Sequence, residues 1–319
     1  MSRTVIVTGA SGFIGRHLVD ALVARGHRAI GVNRSGMPVP GCDVTVAFDR
    51  MAELPALPAD AAVFHAAAYR YDAAAFQTAQ SEILAVNSEL ANRVYRFCVE
   101  RGIREVRMAS SSAVYPAGLP VMDDAQPVDL NAPPHPGEAF YAWSKRWGET
   151  VARLHAERHG ISTVAFRLSN PYGAYDATEL PAAHVAPAFV IKALSDAPAF
   201  EVMGDPAAVE RDFVYAGDVA EVFVRSLNWS GRSDAFNLCT GATVSLKTLA
   251  ETVLAVAGID KPIVAGSAGA GGGSTGAGVS VRRLTGERVR EAFGVTPTPL
   301  ADGLKPTIDW YRHAFAHRR

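Results

Sequence analysis

Apolar and polar positions alternate in two rhythms along the first half of this chain. Short, mostly apolar or β-branched runs near 4–8, 28–32, 44–47, 61–65, 104–110 and 162–167 are too brief for helices and read as strands. Between them lie stretches with helical spacing, the longest near 82–101 and 141–159. This alternation predicts an α/β protein built on a doubly wound parallel sheet, with ligands at the carboxyl ends of the strands. Beyond Asn170 the rhythm breaks. Residues 171–210 are rich in Pro and Ala, and strand and helix signals return over 212–240. From Ala265 to Gly278 the chain is almost all Gly, Ala and Ser. That run has little to bury and much backbone entropy to lose, so it reads as a mobile loop over a site or a plain linker.

The turn after the first strand adds chemistry. Thr4-Val5-Ile6-Val7-Thr8 runs into Gly9-Ala10-Ser11-Gly12-Phe13-Ile14-Gly15, and His17 to Val23 then reads as an apolar helix ended by Gly26. Strand, glycine turn and helix are the setting of a dinucleotide site. The glycines let backbone approach a pyrophosphate, and the helix N-terminus supplies N–H groups and a positive dipole. The spacing is G-x-x-G-x-x-G rather than G-x-G-x-x-G. Gly9, Ser11, Gly12, Phe13, Ile14 and Gly15 are the candidate cofactor-binding residues.

Length, charge and cysteines narrow the class. The 319 residues suffice for one large domain or two intertwined ones. A net charge of −1 with no basic block gives no pull towards nucleic acid or an anionic membrane. No apolar run reaches membrane-spanning length. Cys42, Cys98 and Cys239 are too few and too far apart for a metal set or a disulfide framework. Arg3 leads into the first strand and not into an apolar leader. The expectation is a soluble cytoplasmic enzyme without a metal.

Tyr141-Ala-Trp-Ser-Lys145 follows the triplet Ser110-Ser111-Ser112 by about thirty residues and is the sharpest chemical signal. Residues four apart on a helix share a face. An ammonium beside a phenol favours the phenolate and can move its pKa from about 10 towards neutrality. A phenol so tuned exchanges a proton with a carbonyl or alcohol oxygen, and a serine hydroxyl can hold the same oxygen.

Together these features resemble the extended branch of the short-chain dehydrogenase/reductase superfamily, which contains many nucleotide-sugar epimerases, dehydratases and ketoreductases. Further segments match in order: His65-Ala66-Ala67-Ala68, Asn87, Ser110 to Tyr115, Arg167 to Gly173, Arg211 to Tyr215 with Asp218-Val219-Ala220, Asn237 to Gly241, and the end from Pro299 to Tyr311. The resemblance covers nearly the whole chain. It implies a Rossmann-type fold with a smaller, discontinuous C-terminal substrate domain. The dinucleotide-binding part would be 1–169 plus about 211–242, and the substrate part about 170–210 plus 243–319.

The resemblance also assigns roles. Tyr141 would be the general acid/base, and Lys145 would lower its pKa and hold the nicotinamide ribose. Ser111, three residues before Val114, would bind the reacting oxygen. Ala66 and Asp49 would contact the cofactor, Asp49 at the adenine amino group. Ser112, Asn170, His184 and Arg211 would face the substrate, with Arg211 on a diphosphate. The helices near 82–101 and 141–159 often form a homodimer interface in this family.

Two questions remain to be ranked. Where an NAD enzyme usually places a carboxylate after the second strand, this chain has Asn33-Arg34-Ser35. Arg34 suits a 2′-phosphate, so NADP(H) is favoured, with NAD(H) the alternative. For the reaction, the Asp-Glu pair of sugar 4,6-dehydratases is replaced by Ser112 and Ala113, which leaves elimination without its acid and base. Ala113 also stands where some relatives carry an epimerising cysteine, while His184 matches their histidine. The best expectation is an NADPH-dependent 4-ketoreductase of a nucleotide-linked sugar. The alternatives are a 4-epimerase that retains NAD and a non-catalytic dinucleotide sensor. An Arg-x-Gly-Asp-like segment that holds the nucleotide in many members is missing. Arg282 or Arg283 are the candidates to replace it, and a smaller ketone or aldehyde stays open as substrate.

Overall fold

Every residue of the first strand is buried, as a strand covered by helices on both faces requires. The computed structural model describes residues 2–69, 78–231, 233–266 and 281–317. The first half runs β1 (Thr4–Thr8), α1 (Phe13–Ala24), β2 (Arg28–Asn33), β3 (Val44–Ala47), β4 (Ala62–His65), α2 (Gln80–Arg101), β5 (Glu105–Ser111), α3 (Ala139–His159) and β6 (Ser162–Leu168). Then come β7 (Asn170–Tyr172), α4 (Val185–Leu194), β8 (Phe200–Met203), β9 (Glu210–Arg211), β10 (Phe213–Tyr215), α5 (Ala216–Arg225) and β11 (Asp234–Leu238). The chain closes with β12 (Val244–Ser245), α6 (Leu246–Ala257), β13 (Ile263–Gly266), α7 (Glu287–Phe293) and α8 (Leu300–Ala316).

Seven strands form one parallel sheet in the order β11-β6-β5-β4-β1-β2-β3. From β1 the chain builds outward one way, then crosses over and builds the other way from β4. The reversal lies between β1 and β4, where an open α/β sheet forms a crevice at its carboxyl edge. On one face Leu18, Leu22 and Phe223 pack with Phe64, Phe166 and Phe236 of the strands. On the other, Val94, Phe97 and Val151 of α2 and α3 cover Ile6, Val63 and Val106. Each such side chain contributes about 1.5–3 kcal/mol by leaving water.

A third core gathers Phe189 and Val190 of α4, Leu249 and Val253 of α6, and Leu304 and Ile308 of α8 around Phe200. Small two-stranded sheets connect it: β7 with β10, β9 with β12, and β8 with β13. Within 243–319 the packing is divided. Val289 and Phe293 of α7 join the first core, so residues 287–293 side with the large sheet. The Gly/Ala/Ser run from 267 onward lies outside the described residues.

The outer faces of α2 and α3 carry an apolar stripe. Phe140, Trp143, Trp147 and Leu154 recur at helical spacing and are exposed, with Val86 of α2 also exposed. Among the described residues no helix is long and apolar enough to cross a membrane, and no three His, Cys, Asp or Glu side chains gather as a metal set.

Candidate active site

The glycine turn is built for close backbone approach. Gly9 has φ 73°, and a Cβ there would sit 2.8 Å from the backbone of Ala67. A Cβ on Gly15 would lie 1.9 Å from the carbonyl oxygen of Gly9, so only glycine lets α1 start this tightly. Gly12 is the N-cap of α1, with no side-chain cap bond and no acidic residue in the first turn. The first-turn N–H groups and the helix dipole are therefore offered to a ligand, and the cradle fits the pyrophosphate of a nicotinamide dinucleotide. Ser11 is exposed on this turn, while Phe13 and Ile14 are half-buried behind it.

Ala66 follows β4 and donates its N–H to the Thr8 carbonyl at 3.1 Å. Beneath it His65 is buried, with Nδ1 2.8 Å from the Thr8 hydroxyl. Burial, and then the charge of Lys145, pull the His65 pKa down to about 3, so the ring stays neutral.

The loop after β2 departs from expectation. Asn33 does not present its amide to a ligand. It is buried, its Oδ1 accepts the Gly36 N–H at 2.7 Å and the Ser35 N–H at 3.2 Å, and its Nδ2 donates to Met37 O at 2.9 Å. An asparagine in a turn closes its own backbone in this way. Arg34 and Ser35 are left exposed at the tip. Asp49 is exposed in the single turn Phe48–Glu53 that follows β3.

Ser111, Tyr141 and Lys145 come together. Ser111 is the last residue of β5, and its Oγ accepts the Ala113 N–H at 3.1 Å and hydrogen-bonds to Tyr141. Lys145, one turn after Tyr141 on α3, holds its Nζ 5.7 Å from the centre of the tyrosine ring. That Nζ donates to the Ala109 carbonyl at 2.9 Å. The expected downward shift of the phenol is not what this geometry gives. Burial pushes Tyr141 up to about 12, opposed by the Ser111 bond and reinforced by the Glu138 charge. Burial likewise pulls Lys145 down to about 8, against the charge of Glu149. Both groups sit where water is scarce, which favours their neutral forms. The lysine's hydrogen bond goes to a backbone oxygen and not to the phenol.

Glu149, four residues after Lys145, is a functional neighbour that sequence reasoning passed over. Its carboxylate takes the Arg167 guanidinium with two bonds, 3.0 Å to Nε and 2.8 Å to Nη2, and the Ser110 hydroxyl at 2.6 Å. Arg167 Nη1 reaches the Tyr115 hydroxyl at 3.3 Å, which in turn donates to Asn237 at 2.8 Å. The i, i+4 spacing from Lys145 was the available signal; its partner Arg167 was not readable locally.

A shallow cleft opens beside this group, with Ser112, Ala113, Leu119, His135, Glu138 and Arg282 among its walls. Ser112 is thus where a substrate residue was expected, and His135 and Glu138 are additions. Arg211 is close by. Burial lowers its pKa, and the charge of Arg282 does so next. Its Nη1 donates to Glu210 O at 2.7 Å. Arg282 forms an ion pair with Glu138.

The other two substrate candidates are not brought into the cleft wall. Asn170 donates its Nδ2 to the Asp212 carbonyl at 2.8 Å and so ties β7 to β10. His184 is the N-cap of α4; its ring is 70 % exposed and its Nδ1 lies 3.0 Å from Asp176. Asp212 itself is buried and accepts from the Ser169 and Thr240 hydroxyls and the Thr240 and Gly241 N–H groups, all within 2.9 Å.

Comparison with known proteins agrees with this geometry. Residues 5–239 match the model of the NAD dependent epimerase/dehydratase family. A dTDP-4-dehydro-6-deoxy-D-allose reductase of a Streptomyces species is 30% identical, covering 97% of this chain and 96% of that protein. A dTDP-4-dehydro-6-deoxyglucose reductase of Escherichia coli is 27% identical, over 81% of this chain and 85% of its own. Among solved structures, MoeE5 in complex with UDP-glucose and NAD superposes with a TM-score of 0.79 at 26% identity, over 98% of this chain and 99% of that one. The UDP-glucose 4-epimerase of Thermotoga maritima gives a TM-score of 0.81 at 22% identity over the same shares, a likeness of fold. This chain belongs to the NAD-dependent epimerase/dehydratase family, in the extended short-chain dehydrogenase/reductase group.

Proposed function

We propose that this enzyme uses NADPH to reduce the 4-keto group of a nucleotide-linked 6-deoxy sugar. The observation that carries the reading is the grouping of Ser111, Tyr141 and Lys145 next to Ser112 and Ala113, which line a cleft that Arg282 also lines. The full-length likeness to two 4-dehydro-6-deoxy-sugar reductases supports the substrate class. Bound NADPH would supply the hydride. Tyr141, with its pKa pushed up to about 12, carries its proton at neutral pH and, beside Ser111, is placed to donate it to the carbonyl oxygen, a transfer that a lower pKa would ease. Ser111 donates to the same oxygen. Lys145, at about 8, is mostly charged at pH 7 and steadies the phenolate left behind. Ser112 and Ala113 offer no carboxylate for an elimination. Arg34, exposed beyond β2, supports the choice of NADP(H) over NAD(H). The exposed stripe Phe140, Trp143, Trp147 and Leu154 supports a homodimer through α2 and α3, and the free thiols of Cys42, Cys98 and Cys239 fit a reducing compartment such as the cytoplasm.

The test is a titration with NADPH and with NADH, followed by addition of nucleotide-linked 4-keto-6-deoxy sugars while nicotinamide absorbance is followed. Exchangeable NADPH consumed by the keto sugar is the expected result. Retained NAD with sugar interconversion and no net absorbance change would replace this reading with a 4-epimerase.

A further inference from the structure

Glu138 stands at a junction. It lies three residues before Tyr141, at the N-cap of α3, and its side chain lines the cleft. Across the cleft it pairs with Arg282, 144 residues away in sequence. The two side chains are only 20% and 17% exposed. The same carboxylate raises the pKa of Tyr141 and opposes the lowering of that of Arg211. It is therefore within electrostatic reach of the proton donor and of both guanidinium groups.

The charges around it do not cancel. Burial lowers the pKa of Arg211, and the like charge of Arg282 lowers it next. Glu138 is the carboxylate whose charge both feel. Arg282 also has a buried Nε with no hydrogen-bond partner among the described residues. A buried charged donor left unsatisfied keeps its full desolvation penalty, so this corner of the cleft is short of one acceptor.

We propose that Glu138 is a resident counter-ion for Arg282, which the diphosphate of the substrate displaces, so that Glu138 sets how tightly the cleft holds a diphosphate. This rests on the reading of the cleft as a nucleotide-sugar site. Arg282 leaves the carboxylate for the doubly charged diphosphate, whose several oxygens satisfy more of its fork than one carboxylate can. Glu138, released, keeps its negative charge beside Tyr141. That charge favours the protonated phenol, the form a reduction consumes. Glu138 is a positioning residue here; it acts through Arg282 and Tyr141.

The experiment uses the full chain with NADPH bound and inorganic pyrophosphate as the probe, followed by calorimetry, so that it does not depend on turnover. Glu138→Gln is expected to bind pyrophosphate at least fivefold more tightly than the wild type, and Arg282→Gln at least tenfold more weakly. With an accepted keto sugar, Glu138→Gln should lower KM and move the basic limb of the kcat profile to lower pH, because the phenol loses a neighbouring negative charge. A folded Glu138→Gln that binds pyrophosphate equally or less tightly overturns the proposal. Glu138→Asp keeps the charge and shortens its reach, and must fall between wild type and Glu138→Gln; it decides the matter if the glutamine variant does not fold. A wild type that binds pyrophosphate but reduces no keto sugar would count against the proposed function and leave the counter-ion role standing on the binding data.

Discussion

The two sides of the cleft are made differently. On the large-sheet side, Gly9, Gly15, Ser111, Tyr141 and Lys145 come from strand ends and helix starts, and the local chain aims them at the crevice. On the other side, Asn170 and Asp212 spend their polar atoms joining β7, β10 and the Thr240 turn. The difference teaches that the proton-handling half is a set of local devices on a rigid frame. The other half is assembled from contacts between distant segments, and its buried polar groups hold the frame together.

Tyr141→Phe should give the largest effect. Loss of the acid is expected to lower kcat by about 10²–10⁴-fold while NADPH binds within about twofold of wild type. Steady-state kinetics beside a cofactor titration check it, and unchanged turnover would remove Tyr141 from the mechanism. On the other side of the comparison, Asp212→Ala strands four donors. A loss of roughly 3 kcal/mol in unfolding free energy, read by urea denaturation, is expected. A purely catalytic defect at full stability would break the contrast between the two sides.

An effect that is small near neutral pH concerns His65. Its folded pKa, about 3, lies below the ordinary 6.5, so between those values the unfolded chain binds the proton and the folded one does not. Stability is thus lost as pH falls from 6.5 towards 3, by up to about 1.4 kcal/mol per pH unit. Above 6.5 the ring is neutral in both states and contributes no slope. Thermal melts of His65→Gln should show a shallower acid slope than wild type; parallel slopes would exclude His65 as the cause. Smallest is Arg34→Gln. We expect roughly fivefold weaker NADPH binding and unchanged NADH binding, as for one exposed charge-assisted bond. Equal losses for both cofactors would mean that Arg34 does not read the 2′-phosphate.

The same contrast explains what the sequence disclosed. The parallel sheet, the glycine turn and the Tyr141–Lys145 pair were legible because strand periodicity, a turn and one helical repeat are short-range. The turn closed by the Asn33 side chain is not legible, because its residue type suits a ligand contact and a self-closing turn equally. The Glu149–Arg167 pair, the Asp212 hub and the Glu138–Arg282 pair stayed invisible. Their partners lie 18, 28 to 43 and 144 residues apart, and no local pattern encodes such meetings. The direction of the Tyr141 shift was misjudged for a related reason: spacing gives proximity, and burial, which comes from the whole fold, decides the sign.

The chain has five lysines, Lys145, Lys192, Lys247, Lys261 and Lys305. With a pKa of about 8, Lys145 presents a free amine in roughly one molecule in ten at pH 7, against fewer than about one in a thousand for an ordinary lysine. A small aldehyde that enters the cleft, with a mild reductant, should therefore tag Lys145 ahead of the other four lysine side chains, with peptide mapping to read it. The active site thereby carries its own chemical address, usable for attaching a reporter without introducing a new residue.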